Sequence, residues 1–168
     1  MDNLYPVFLQ LAGVPCLVIG GGTVATRKIR ALLAAQAIVT VISPTLTPEL
    51  RDQAESGALR WIARPYQPGD LKNQLCRLVF ATTDNRQVNR QVYEEALRLN
   101  VWVNVADRPE ECTLMNPARI RQGPVDIAIS THGRSPALAK ALREALQADL
   151  QDDGNRFVRL WRQVSSSD

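Results

Sequence analysis

Apolar residues in this chain come in short continuous runs separated by longer stretches with a helical period, and the first run carries the strongest signal. Cys16 to Ile19 are uninterruptedly apolar and lead straight into Gly20, Gly21 and Gly22. A run of that length bounded by glycines predicts a strand buried on both faces that ends in a tight turn. The following TRKIRALLAAQ sets Ile29, Leu32 and Leu33 on one helical face, and Val39 to Ile42 read as a second strand. Strand, helix and strand together span about 30 residues, the length of one βαβ unit.

The alternation continues. The pattern predicts a helix over Pro48 to Glu55, strands at Leu59 to Ala63 and Leu78 to Ala81, a helix from about Gln87 to Leu99 and a strand at Val101 to Val105. Elements in this order predict an α/β fold, a Rossmann-type doubly wound parallel sheet over residues 1–114. After Asp107 the pattern changes. ARIRQGPVDIAIS reads as two strands flanking a turn at Gln122, Gly123 and Pro124, and a helix follows from about Pro136 to Leu150. Such a β-hairpin is marginal alone, so residues 115–147 are expected to pair with a second subunit or to dock on the parent domain, and their pattern suits both. Residues 148–168 form a short helical tail in which Phe157, Leu160, Trp161 and Val164 give a weak amphipathic pattern before the closing serines.

The glycine turn has a specific use. Gly20 permits the turn, Gly22 lets the backbone approach a pyrophosphate, and Ala25 lets the helix pack on the strand. N–H groups near Thr23 and Val24 then face the anion. A glycine turn between any strand and helix accounts for the motif alone; the βαβ setting turns it toward a dinucleotide. In such sheets ligands gather outside the carboxyl ends of the strands, here Gly20 to Gly22, Ser43, Thr82 to Asp84 and Asn104 to Asp107. Ser43 stands where a NAD site usually has Asp or Glu, and Arg27 and Lys28 serve a 2′-phosphate or solvent equally well, so NAD and NADP both stay open.

Composition narrows the classes. An apolar content of 45% suits a packed globular core, and a formal charge of +3, from 20 basic and 17 acidic residues, argues against nucleic acid as a partner. The surplus is local: between Arg108 and Arg143 six basic residues face three acids, which suits an anionic small molecule or a solvated face. Cys16, Cys76 and Cys112 are scattered, with no C-x-x-C pair, and predict neither a disulfide framework nor a structural zinc site. A reducing cytoplasm is the expectation. With no apolar run of about 18 residues and no basic leader, neither a membrane span nor a signal peptide is expected.

Three side chains stand out for chemistry. Asp107, in NVADRP, follows the last strand at the ligand edge, where a carboxylate either serves as a base or caps the next turn. Asp84, in ATTDNR, is expected to cap the following helix. His132 is the sole histidine and predicts no metal site by itself. Its neighbours Ser130, Thr131, Arg134 and Ser135 lie at a helix start, where they either hold a carboxylate or phosphate or simply cap the helix.

Four separated pieces then share a pattern. LYPVFLQLAGVPCLVIGGGTVATRK, VFATTDNRQVN, VNVADRP and VDIAISTHGRSPALAKALRE follow one another over roughly residues 3–147. Together they resemble the precorrin-2 dehydrogenase family, also called the siroheme synthase N-terminal domain. The resemblance implies NAD-dependent oxidation of precorrin-2 to sirohydrochlorin, and in some members a chelatase step that takes Fe2+ or Co2+ as substrate. It also implies a homodimer built through the segment after the nucleotide domain. The family's functional aspartate falls on Asp107. Its nucleotide contacts fall on Gly20, Gly21, Gly22, Thr23, Val24, Ser43 and Pro44, with further contacts at Thr82 and Asn104. Its tetrapyrrole substrate carries many carboxylates, which suit the basic surplus.

Loss of two hydrogens needs a hydride acceptor, the NAD, and a proton acceptor, for which Asp107 is the candidate. In a chelatase step the same carboxylate would meet the metal or accept a pyrrole proton. Two departures stand out. His132 precedes Gly133 where members commonly carry consecutive glycines, which reduces backbone freedom. Many members continue into further helices or a methyltransferase domain, so here a separate uroporphyrinogen methyltransferase is expected. A nucleotide-binding sensor without catalysis is the alternative; it would keep the glycine loop but need neither Asp107 nor an anion site. A short-chain reductase is disfavoured, because none of Tyr5, Tyr66 and Tyr93 has Lys four residues later.

Overall fold

The computed structural model describes residues 4–123, 125–151 and 158–159. The chain divides into two compact units, one over Tyr5–Leu114 and one that joins Leu4 to the chain from Met115 onward.

In the first unit, β1 (Pro15–Ile19), β2 (Ile38–Ile42), β3 (Arg60–Ile62), β4 (Leu78–Ala81) and β5 (Trp102–Val105) form one sheet in the order β3-β2-β1-β4-β5. Every pairing in it is parallel. The chain winds outward from β1 to β3 and then crosses back to β4, so the order reverses between β1 and β4. Ligands bind at such a reversal, outside the carboxyl ends of the strands. The connections carry α1 (Thr23–Ala34), α2 (Pro48–Glu55), α3 (Asp70–Gln74) and α4 (Arg86–Leu99).

The continuous apolar reading of β1 has a direct cause. Cys16 and Val18 pack with Ile29, Val41, Leu50 and Phe80 on one face of the sheet. Leu17 and Ile19 pack with Val79, Val92 and Val103 on the other. A strand with helices on both sides has no solvent face, so no polar residue interrupts it. Ala25, Ile29 and Leu32 are the buried stripe by which α1 covers the sheet.

Helix α4 begins on Asn85, whose side chain accepts from the N–H groups of Gln87 and Val88. The cap is therefore Asn85 and not Asp84, which sits one residue too early to reach those donors. The pattern also does not predict α3 or the 3-10 turn Pro109–Glu111, both shorter than two helical periods. Gly69 (φ 98°) and Leu75 (φ 49°), both left-handed, bound α3.

In the second unit β6 (Ala118–Gln122) and β7 (Val125–Ile129) pair antiparallel from Ala118↔Ile129 to Gln122↔Val125, and α5 spans Pro136–Asp149. Ile120, Leu150 and Val158 are a buried cluster of this unit, with the partly buried Ile127 and Ile129 against them. Pro124, Phe157, Leu160, Trp161 and Val164 lie outside the described residues. Among the described residues no helix is long and apolar enough to cross a membrane.

Candidate functional site

The carboxyl edge of the sheet holds a cleft of about 200 Å³, lined by Ile19 and Gly20 after β1, Ser43 and Pro44 after β2, Pro65 and Tyr66 after β3, and Thr83, Asp84, Asn85 and Val88 at the start of α4. Backbone builds its glycine side. Gly20 adopts φ 115°, and a Cβ there would meet Thr82 Oγ1 at 2.8 Å. At Gly21 a Cβ would stand 2.1 Å from the Thr45 carbonyl oxygen, so the β2 loop closes over this glycine. The Gly21 carbonyl also accepts from the Thr47 N–H at 2.9 Å. Gly22 differs: its missing side chain faces open space, and it starts α1 without a side-chain cap. The first-turn N–H groups of α1, including those of Thr23 and Val24, lie beside that opening, and N–H groups at a helix start are donors that suit an anion.

Side chains of the neighbouring strands are committed to the frame. The Thr82 hydroxyl donates to the Ile19 carbonyl at 2.9 Å, and it is Thr83, one residue on, that lines the cleft. The Ser43 carbonyl accepts from Trp61 Nε1 at 2.9 Å. Tyr66, on the cleft wall, donates to the buried Glu95 carboxylate, which also accepts from the N–H groups of Gly69 and Leu71, each at 3.1 Å. Burial and the Glu95 carboxylate push the Tyr66 phenol well above its ordinary range.

Lys28 is not at a 2′-phosphate position. Its Nζ donates to Asn104 Oδ1 at 2.7 Å and lies 5.2 Å from the centre of the Phe80 ring. Burial lowers its pKa to about 8, with Arg27 adding to the effect. Asn104 in turn donates to the Leu114 carbonyl at 2.9 Å. Its carboxamide is thus a strut between α1, β5 and the chain that follows.

At the end of β5 the Asp107 carboxylate is partly exposed. Asn89 Nδ2 donates to its Oδ1 at 2.9 Å, and Arg86 Nε stands 4.0 Å from its Oδ2. It does not cap the 3-10 turn, whose N-cap position is Arg108 and carries no side-chain cap bond. Behind it, Glu111 is buried and pairs with Arg86 and Arg90. The pattern of the sequence missed Asn89 and Glu95. A signal existed: both sit at helical spacing with Val92 and Ala96 on the buried face of α4, where an apolar residue is the ordinary choice.

The remaining candidates belong to the second unit. The Ser135 hydroxyl caps α5 by accepting from the Leu138 N–H at 3.2 Å. Thr131 Oγ1 donates to the Ser135 carbonyl at 2.9 Å, and Ser130 Oγ accepts from the His132 N–H at 3.1 Å. The loop hydroxyls are therefore engaged within the loop, while the His132 and Arg134 side chains are exposed. His132 occupies a left-handed backbone position, φ 54°. The basic surplus is partly neutralised in place: Arg108 pairs with Glu110 at 3.5 Å, Arg119 with Asp126 at 2.6 Å, and Arg143 and Lys140 with Glu144 at 2.9 and 3.9 Å.

The three thiols are unbridged. Burial raises Cys16 to about 11 and Cys76 to about 12, which makes both poor nucleophiles. Among the described residues no group of three or more His, Cys, Asp or Glu gathers in a way that would hold a metal.

A family of NAD(P)-binding domains matches residues 7–118, and the central domain of sirohaem biosynthesis proteins matches residues 122–148. Siroheme synthase 1 of Aeromonas salmonicida is 44% identical over 148 residues, which cover 88% of this chain and 31% of that protein. Siroheme synthase of Thioalkalivibrio sulfidiphilus is 40% identical over 158 residues, covering 94% and 32%. The chain thus spans about a third of the length of these curated relatives. Among solved structures, SirC, a precorrin-2 dehydrogenase, superposes with a TM-score of 0.81 at 30% identity, covering 95% of this chain and 78% of that one. With an NAD(P)-binding match over residues 7–118, a sirohaem central-domain match over 122–148 and this likeness to SirC, the chain belongs to the precorrin-2 dehydrogenase family of siroheme synthesis.

Proposed function

We propose that the chain oxidises precorrin-2 to sirohydrochlorin, with NAD as hydride acceptor and Asp107 as the group that takes or steers the proton. The observation that carries this reading is a partly exposed carboxylate, held by Asn89, on the same sheet edge as the glycine cleft. The cleft fits a dinucleotide: the opening at Gly22 and the uncapped start of α1 suit the pyrophosphate, and Ser43, Pro44 and Tyr66 suit the adenosine. When bound, the nicotinamide supplies the hydride acceptor. Asp84 is the charged side chain among the residues lining the cleft, and a carboxylate there favours the uncharged 2′-hydroxyl of NAD over the 2′-phosphate of NADP.

The Asp107 carboxylate offers acceptor oxygens, and it receives the second hydrogen as a proton. The same carboxylate suits removal of pyrrole protons when Fe2+ or Co2+ enters as substrate. Arg134 and His132, in the loop from Ser130 to Ser135, suit the carboxylates of the tetrapyrrole. The exposed stripe Leu138, Leu142 and Leu146 on α5 supports a homodimer built through residues 115–147. The unbridged thiols suit a cytoplasmic enzyme fed by a uroporphyrinogen methyltransferase.

The test is anaerobic turnover of enzymatically made precorrin-2 with NAD or NADP, followed by absorbance, with Fe2+ or Co2+ added afterwards. Sirohydrochlorin formed with NAD, and at least about tenfold more slowly with NADP, is the expected result. Folded protein that binds the nucleotide yet forms no product would move the reading to a sensor.

A further inference from the structure

We propose that Asn89 is the positioning residue for Asp107, one buried carboxamide that ties the wall of the nucleotide cleft to the proposed proton acceptor; this rests on the reading of Asp107 given above. Asn89 is fully buried at 0% exposure. Its Nδ2 donates to the Thr83 carbonyl at 3.0 Å and to Asp107 Oδ1 at 2.9 Å. Its Oδ1 accepts from the Thr83 N–H at 3.2 Å and from Thr83 Oγ1 at 2.7 Å. Two donors and an acceptor are all engaged, so the carboxamide has one orientation.

Three considerations assign it a role beyond packing. Its neighbours on the buried face of α4 include Val92 and Ala96, so packing alone asks for an apolar residue there. The Asp107 side chain is 42% exposed, and its charged neighbour is Arg86 at 4.0 Å, a surface contact too weak to fix a rotamer. Asn89 instead hangs from the first turn of a helix, its N–H donating to the Asn85 carbonyl at 3.1 Å, and a group on a helix is held more tightly than one on a loop. A side chain that positions a reacting group through a hydrogen bond acts on turnover by geometry, and a displacement of about 1 Å costs on the order of 100-fold.

The substitution Asn89→Asp separates this role from a structural one. It keeps an acceptor for the Thr83 N–H and hydroxyl but faces Asp107 with a second carboxylate instead of a donor. The expected result is kcat lowered about 100-fold with the dissociation constant of NAD within about threefold of wild type. Adding Asp107→Asn returns a donor to the pair, now reversed, and is expected to restore part of the thermal midpoint lost in N89D, the part that does not come from the Thr83 carbonyl, without restoring turnover. Unchanged kcat in N89D, or a loss matched by the loss of NAD affinity, overturns the proposal. If N89D alone does not fold, Asn89→Gln is measured instead, which keeps the carboxamide but displaces it by one methylene: kcat lowered with NAD affinity kept supports the proposal, and unchanged kcat overturns it. Full turnover by D107N alone would instead defeat the reading of Asp107, a separate outcome.

Discussion

The two ends of the sheet edge are built from different materials. The nucleotide end is mostly backbone: two glycines that tolerate no Cβ, a third that faces open space and the start of α1. The Asp107 end is mostly side chain, a carboxylate fixed by Asn89 with Arg86, Arg90 and Glu111 around it. On the proposed reading, a ligand common to countless reactions is met by groups every residue possesses, and the step particular to one substrate by groups that only a few residue types provide. The nucleotide end should therefore break when atoms are added, and the Asp107 end when polar atoms are exchanged.

The largest contrast is expected from Asp107→Asn. Turnover should fall about 1,000-fold while NAD affinity and thermal midpoint hold, since a surface carboxylate is replaced by its isostere. Parallel assays of turnover and NAD binding read this, and a joint loss would dissolve the division between the two ends. Gly21→Ala is the reverse experiment. Its Cβ would lie 2.1 Å from the Thr45 carbonyl, so the β2 loop is pushed off the glycine turn, at a cost of about 3 kcal/mol. Denaturation and NAD titration should both register it; an alanine variant that binds NAD normally would show that the loop yields.

Glu95→Ala tests a place where the nucleotide end depends on a side chain. It strips acceptors from Tyr66 and from the N–H groups of Gly69 and Leu71. A loss of about 2 kcal/mol in stability and a weaker NAD complex are expected, with kcat at saturating NAD nearly unchanged. A fall in kcat instead would tie Tyr66 to the chemistry.

Lys28 gives a pH-dependent reading. The unfolded chain keeps the Lys28 proton up to its ordinary value of 10.5, while the folded chain releases it near 8. Between those values the unfolded state binds more protons, so the contribution of Lys28 to stability rises with pH across the window and is least favourable below 8. The thermal midpoint of wild type relative to Lys28→Met should climb from pH 8 to 10; a flat difference would mean that Lys28 is solvated.

The smallest effect is expected at His132→Gly, where relief of the φ 54° backbone outweighs the added freedom of the unfolded chain by about 0.5 kcal/mol. Destabilisation would show that the imidazole holds the loop.

What was legible follows the same division. The parallel sheet was readable because burial on both faces leaves continuous apolar strands, and the glycine turn because a backbone requirement admits few residues. Elements of three to five residues, α3 and the turn at Pro109–Glu111, were not, since less than two periods is no pattern. Asp107 stood out by its place after β5, but its partner did not. Asn89 and Lys28 act across the fold, and a hydrogen bond between Lys28 and Asn104, 76 residues apart, leaves no local trace in either. Capping went to Asn85 instead of Asp84 for the opposite reason: neighbouring residues of equal propensity are told apart only by reach.

Helix α4 presents Asn89 to Thr83 and Asp107, and Glu95 to Gly69 and Leu71. It is therefore a ruler whose graduations are set by helical phase. One residue inserted between Asn89 and Glu95 turns one from the other by about 100°, and no change confined to the loops would bring both back into reach. The spacing of Asn89 and Glu95 along α4 is thus as much a part of the site as the two side chains themselves.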